Sequence, residues 1–133
     1  MPLTQNARDL IGKQMLGQQT SSQDWSSGNS YLHVGSSTAT FTSTQNFLLS
    51  TGAVMKGLDA GYPTYSVTSG GAPVLTARAT FTTSEANFDW NEWAWRNSST
   101  TTTGDSMNRK QETLGTKAST QSWQLTTSIS VTT

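Results

Sequence analysis

The chain contains no cysteine. That excludes a disulfide framework, a thiolate zinc site and a thiol nucleophile. Charge is scarce too: 12% of residues are charged, and the formal net charge is zero. Such a surface has little electrostatic pull on nucleic acid or on an anionic membrane, and neither is expected as a partner. His33 is the one histidine. With no cysteine and no acid cluster beside it, it is a poor candidate for a metal ligand or a catalytic base. No apolar run approaches the roughly 20 residues of a membrane helix. The N-terminus has no signal-peptide core, so a bacterial-type cytoplasm is the expected folding compartment. Phosphate-cradling glycine loops, nucleophile elbows and paired-histidine zinc helices are absent as well. No catalytic residue, cofactor or metal is expected.

What the chain does have is hydroxyl and indole. Roughly a third of its 133 residues are Ser or Thr, and five are Trp. The length suits one domain with a modest core, which oligomerisation commonly supplements. The organising stretch runs from Phe81 to Val131 and holds Trp90, Trp93, Trp95 and Trp123. At its end, Trp123, Leu125, Thr127, Ile129 and Val131 alternate with Gln124, Thr126, Ser128, Ser130 and Thr132. Successive strand side chains point to opposite faces, so this is a half-buried antiparallel strand. Leu75, Ala77, Ala79 and Phe81 alternate with Thr76, Arg78, Thr80 and Thr82 in the same way.

Between these strands, strict alternation places Trp93 and Trp95 on one face and Trp90, Glu92, Ala94 and Arg96 on the other. Two apolar faces predict a central strand covered on both sides, by its own domain or by a neighbouring subunit. Residues 97–105 then form a Ser/Thr/Gly loop, and Met107 to Leu114 returns as a partner strand. Glu92 sits among aromatics. A buried carboxylate is costly unless paired, so a structural pair with Arg109 or Lys110 is expected rather than a general acid. Asp89 and Glu92 invite a glycosidase reading, but acids so placed are more often structural. Trp90, Trp93 and Trp95 could alternatively form the stacking platform of a carbohydrate-binding module.

Elsewhere, Leu3 to Leu16 is the best helix candidate. Thr4 can cap it, Ala7, Leu10, Ile11 and Met15 recur at helical spacing, and Gly17 can end it. Residues 18–30 read as a polar arm carrying Trp25, either an anchor into another surface or a plug over the chain's own core. Tyr31 to Gly35 is a short strand with Leu32 and Val34 on one face. Phe47 to Leu58 has no clean period, and strand and helix both stay open there. Tyr65 and Val67 begin a strand that pairs as a hairpin with residues 74–82. The count of roughly seven or eight strands predicts an all-β fold: an antiparallel β-sandwich, jelly-roll-like, spanning 31–133, with residues 1–30 as an N-terminal arm with a short helix.

Three segments together resemble small bacteriophage virion structural proteins: Tyr31-Leu-His-Val-Gly-Ser-Ser-Thr-Ala-Thr40; Ala79-Thr-Phe-Thr-Thr-Ser-Glu-Ala-Asn-Phe-Asp-Trp-Asn-Glu-Trp-Ala-Trp95; and Met107-Asn-Arg-Lys110 with Leu114-Gly-Thr-Lys117 and Ser122-Trp123. The segment ending at Trp95 is similar to a pattern of collar-fibre and head-decoration domains. The resemblance implies a non-enzymatic β-domain present in many copies on the virion. The expected role is a capsid decoration (cement) protein. It would bind the major capsid protein on the outer capsid surface, commonly as a homotrimer, after assembly in the bacterial host cytoplasm. A neck, collar or tail-fibre adaptor binding other virion proteins is the alternative. Trp25, Trp90, Glu92, Trp93, Trp95, Arg109 and Trp123 are the candidate structural or interface residues.

Overall fold

The computed structural model describes residues 3–18 and 24–130. Val131 and Thr132, expected to continue the last strand, lie outside the described residues, as do residues 19–23 of the arm. Among the described residues, one helix and seven strands follow in order: α1 (Gln5–Met15), β1 (Tyr31–Gly35), β2 (Val54–Gly57), β3 (Thr64–Val67), β4 (Pro73–Phe81), β5 (Asp89–Arg96), β6 (Ser106–Thr116) and β7 (Trp123–Ser130). The strands form two antiparallel sheets, one ordered β2-β1-β5-β6 and the other β3-β4-β7. The fold is thus mostly antiparallel β, consistent with an all-β sandwich carrying a short N-terminal helix.

The core lies between the sheets. Leu32, Val34, Trp90, Trp93 and Trp95 from the four-stranded sheet cluster with Ala77, Ala79, Phe81, Leu125 and Ile129 from the three-stranded sheet. On β7 the alternation is as expected: Leu125, Thr127 and Ile129 are buried, while Gln124, Thr126 and Ser128 are exposed. β3 and β4 form the expected hairpin, with Tyr65 opposite Leu75 and Val67 opposite Pro73. The undecided stretch resolves into a loop followed by the edge strand β2.

β5 corrects one face assignment. Trp90 does not share a face with Glu92. The β5–β6 ladder is irregular there: Trp90 pairs with Gly115, Glu92 pairs with Gln111, and the register shifts between them. A bulge of this kind resets the two-residue alternation. Trp90 therefore turns into the core with Trp93 and Trp95, while Glu92 points to the opposite face.

The N-terminal helix lies on the sandwich of its own chain. Thr4 caps α1, its Oγ1 accepting from Ala7 N at 3.1 Å. The Thr4 hydroxyl donates to Ser106 O, and its backbone N–H donates to Met107 O at 3.0 Å. Ala7 and Leu10 are buried, and Ala7 joins the sandwich core. Ile11 and Met15, assigned to the same stripe, are exposed. Helix and sandwich thus share one core, because an isolated helix of 11 residues needs an apolar surface to be stable. Among the described residues, no helix is long and apolar enough to cross a membrane.

Candidate functional site

The groups with chemical potential converge on β5, on two faces of one strand. The face away from the other sheet carries Glu92, Ala94 and Arg96, beside Gly35 and His33 of β1 and Arg109 of β6. In a soluble sheet such a face is commonly solvated. Here Glu92, Arg96, His33 and Arg109 are all buried. The loops 36–53 and 97–105 cover them.

Glu92 organises the loop 36–53. Its Oε1 accepts from Ser50 N at 2.7 Å, and its Oε2 from Leu49 N at 3.0 Å. Arg109 Nε donates to the same Oε2 at 2.8 Å. Arg109 Nη2 also lies 2.8 Å from Oε2, within ion-pair range, but makes no well-aligned hydrogen bond. Arg109 Nη1 continues the network to Ala39 O at 3.0 Å and Gln45 Oε1 at 3.2 Å. Both side chains are fully buried. A buried pair of this kind is held only when further hydrogen bonds satisfy the remaining groups, which is what the loop supplies. Glu92 therefore meets one of its two expected partners, Arg109; Lys110 pairs with Glu112 instead, at 3.1 Å. Two backbone N–H groups and a guanidinium thus donate to the Glu92 carboxylate.

Gly35 shows how closely the strands pack here. A Cβ at that position would stand 2.5 Å from Glu92 Oε1 and 2.9 Å from Ser50 Cβ. Only glycine lets the carboxylate lie across β1.

The loop 97–105 is held by Arg96 and His33. Arg96 donates to Thr100 O at 2.9 Å and Thr103 O at 2.5 Å, and its guanidinium lies 4.7 Å over the Phe47 ring. Burial pushes its pKa down to about 10, which leaves it charged at neutral pH. His33 Nε2 lies 2.8 Å from Ser98 O; a carbonyl only accepts, so this nitrogen carries the proton. Burial, with help from the nearby Arg96 charge, pushes His33 down to about 4. It is a neutral structural histidine. Asn46 ties the two loops together: it accepts from Ser106 N at 2.8 Å and donates to Gly104 O at 2.9 Å.

The opposite face of β5 is aromatic. Phe81 and Trp90 meet edge to face at 4.9 Å, and Trp90 meets Trp123 in the same way at 5.1 Å. Each β5 indole N–H has an internal acceptor. Trp90 Nε1 donates to Ala86 O at 2.9 Å, Trp93 Nε1 to Glu112 Oε2 at 3.2 Å, and Trp95 Nε1 to Ser30 Oγ at 3.1 Å. The bond from Trp93 is the main cause holding Glu112 below the usual carboxylate range. Trp90, Trp93 and Trp95 are at most 4% exposed. They belong to the core of the chain itself and present no open ring face within the domain. Trp123 is partly buried beside them. Trp25, left open between anchor and plug, packs against this core and helps line a cavity of about 270 Å³ with α1, Leu75 and Ile129.

Sequence reasoning singled out Glu92, Arg109 and the tryptophans but missed Gly35, Gln45, Asn46 and Ser50. Those are small or amide residues, most of them in loops without period, so no local pattern marks them. Asp89 and Glu92 do not converge: Asp89 accepts from Thr116 at the bulged end, while Glu92 is sealed under its loop. Among the described residues, no three His, Asp or Glu side chains gather as a metal site would require. No family model, curated protein or solved structure matches the chain.

Proposed function

We propose that this chain is a non-enzymatic phage virion structural protein, a capsid decoration protein that binds the major capsid protein and braces the shell. The observation that carries the reading is the internal use of its reactive groups. Glu92, Arg109, Arg96, His33 and the β5 indoles all bond within the domain. What faces outward is mostly uncharged hydroxyl surface, with exposed apolar side chains on the C-terminal half of α1 and just past it (Ile11, Met15, Leu16) and on β3 (Tyr65, Val67). Such a surface suits contacts repeated over a lattice, where many weak interfaces act together. The resemblance of the Tyr31 to Thr40, Ala79 to Trp95 and Met107 to Trp123 segments to virion proteins supplies the class of partner. We read the sandwich more finely as jelly-roll-like, since the chain crosses between its sheets three times. We place three copies around each local three-fold position of the shell.

The shell contact is assigned to the outer side of α1. Because α1 is part of the core, deletion of residues 1–30 would uncover Trp95 and Met107, so point variants are the better probe. Purified protein should co-sediment with undecorated capsid shells, and Ile11→Ser with Met15→Ser should weaken that binding while the domain stays folded. Quantification of the chain in purified virions separates the two virion readings. Many copies per particle support a decorated shell; a handful per particle supports a neck, collar or tail-fibre adaptor. No chain in the particle rejects both.

A further inference from the structure

The three-stranded sheet ends in an unprotected edge. β3 pairs with β4 on one side, and among the described residues no strand lies on its other side. All four of its residues are exposed, Tyr65 at 66% and Val67 at 53%. Natural edges of this kind are normally blunted by charge, proline, a bulge or a covering segment. β3 has no charge, no proline and no bulge within it. The edges of the other sheet are different. β2 carries Lys56, paired with Glu85, and β6 carries Arg109, Lys110 and Glu112, with the N-terminus of α1 bonded to Met107. β7 is also an uncharged edge, but its apolar side chains Leu125 and Ile129 are buried in the core. Among the described edge strands, β3 combines an open ladder with the two most exposed apolar side chains, Tyr65 and Val67; β6 exposes Leu114 at 39%.

We propose that β3 is a self-association strand: it pairs antiparallel with β3 of a second copy about a two-fold axis through Ser66. The sequence Thr64-Tyr-Ser-Val-Thr68 supports this occupant. In that register Thr64 meets the partner's Thr68, Tyr65 meets the partner's Val67, and Ser66 meets the partner's Ser66. Every opposed pair is then like with like, apolar on one face and hydroxyl on the other. No charged residue occurs between Asp59 and Arg78, so two copies approach this edge without like-charge repulsion. The result is a continuous six-stranded sheet, with main-chain hydrogen bonds supplying affinity and Tyr65–Val67 contacts fixing register. This contact stands independently of the virion reading. On a shell it would join copies at neighbouring positions; in free solution it gives a dimer.

The absence of native cysteine makes the test specific. Ser66→Cys introduces a single thiol, and directly opposed antiparallel residues have Cβ atoms about 4.5–5.5 Å apart, close to what a disulfide requires. Under mild oxidation Ser66→Cys should give covalent dimer far faster than Thr126→Cys, a control on the exposed face of β7. By analytical ultracentrifugation, Tyr65→Lys with Val67→Lys should weaken self-association by about tenfold or more, because like charges then face each other. Tyr65→Lys with Val67→Asp should restore it, because the same register now opposes unlike charges. Both positions are exposed, and circular dichroism checks that the variants fold. A wild-type chain that stays monomeric at high concentration would overturn the proposal. So would Ser66→Cys cross-linking no faster than the control, or an oligomer that survives the two lysines.

Discussion

The two faces of β5 are both buried, yet they are closed by different physics. Toward the three-stranded sheet, Trp90, Trp93 and Trp95 bury large apolar areas against Phe81, Leu125 and Ile129. That face is held by area and shape. On the other side, Glu92 and Arg96, with His33 and Arg109, are buried under two Ser/Thr-rich loops. That face is held by a chain of hydrogen bonds in which each partner depends on the next. The difference teaches that one strand can organise a small domain twice. It supplies an aromatic core on one side and a polar clamp for long loops on the other.

Truncation of the aromatic face should have the largest effect. Trp90→Ala removes the ring that joins Phe81 to Trp123 and should cost about 3–5 kcal/mol in chemical denaturation. The polar face should answer next. Glu92→Gln keeps the shape but leaves the Arg109 guanidinium buried without its counter-charge, and should cost about 3 kcal/mol by the same measurement. Adding Arg109→Met should recover part of that loss; a strictly additive double variant would mean that the pair is not coupled.

The polar face should also respond to acid, through His33. Its folded pKa is depressed to about 4, against an ordinary value of 6.5. Below pH 6.5 the unfolded chain takes up a proton that the folded protein refuses, so this contribution makes stability fall as pH drops from 6.5 toward 4. It has no effect above that window. By pH 5 the loss should be about 2 kcal/mol. His33→Gln should flatten the slope in denaturant titrations at stepped pH.

A smaller effect is expected at Gly35, where an added Cβ presses on Glu92 and Ser50. Gly35→Ala should cost about 1–2 kcal/mol through overpacking. Met15→Ser sets the lower bound. Met15 is 83% exposed, so stability should change by less than about 0.5 kcal/mol in thermal unfolding while shell binding weakens.

Much of the aromatic face was legible in the sequence, because periodicity reports burial where a strand is regular. Trp123 to Ile129, Leu75 to Phe81, and Trp93 with Trp95 all follow the two-residue rule. Trp90 broke it, since a register shift depends on the pairing strand and leaves no mark in local alternation. Half of the polar face was legible as well: a carboxylate among tryptophans demands a cation, and Arg109 is one of two on the returning strand. Its other half was not. Ser50 and Leu49 contribute backbone N–H groups, and those carry no side-chain signature. The helix was readable as a helix, but where it docks depends on Thr4 reaching the backbone of β6, a contact about a hundred residues away in sequence.

The central claim is that the residues of β5 hold the domain together and are not part of the proposed shell contact. Trp93→Phe tests it most directly when its unfolding midpoint and its binding to capsid shells are measured side by side. The account predicts a lowered midpoint, with the folded protein binding shells as the wild type does. An unchanged midpoint with shell binding lost would contradict it.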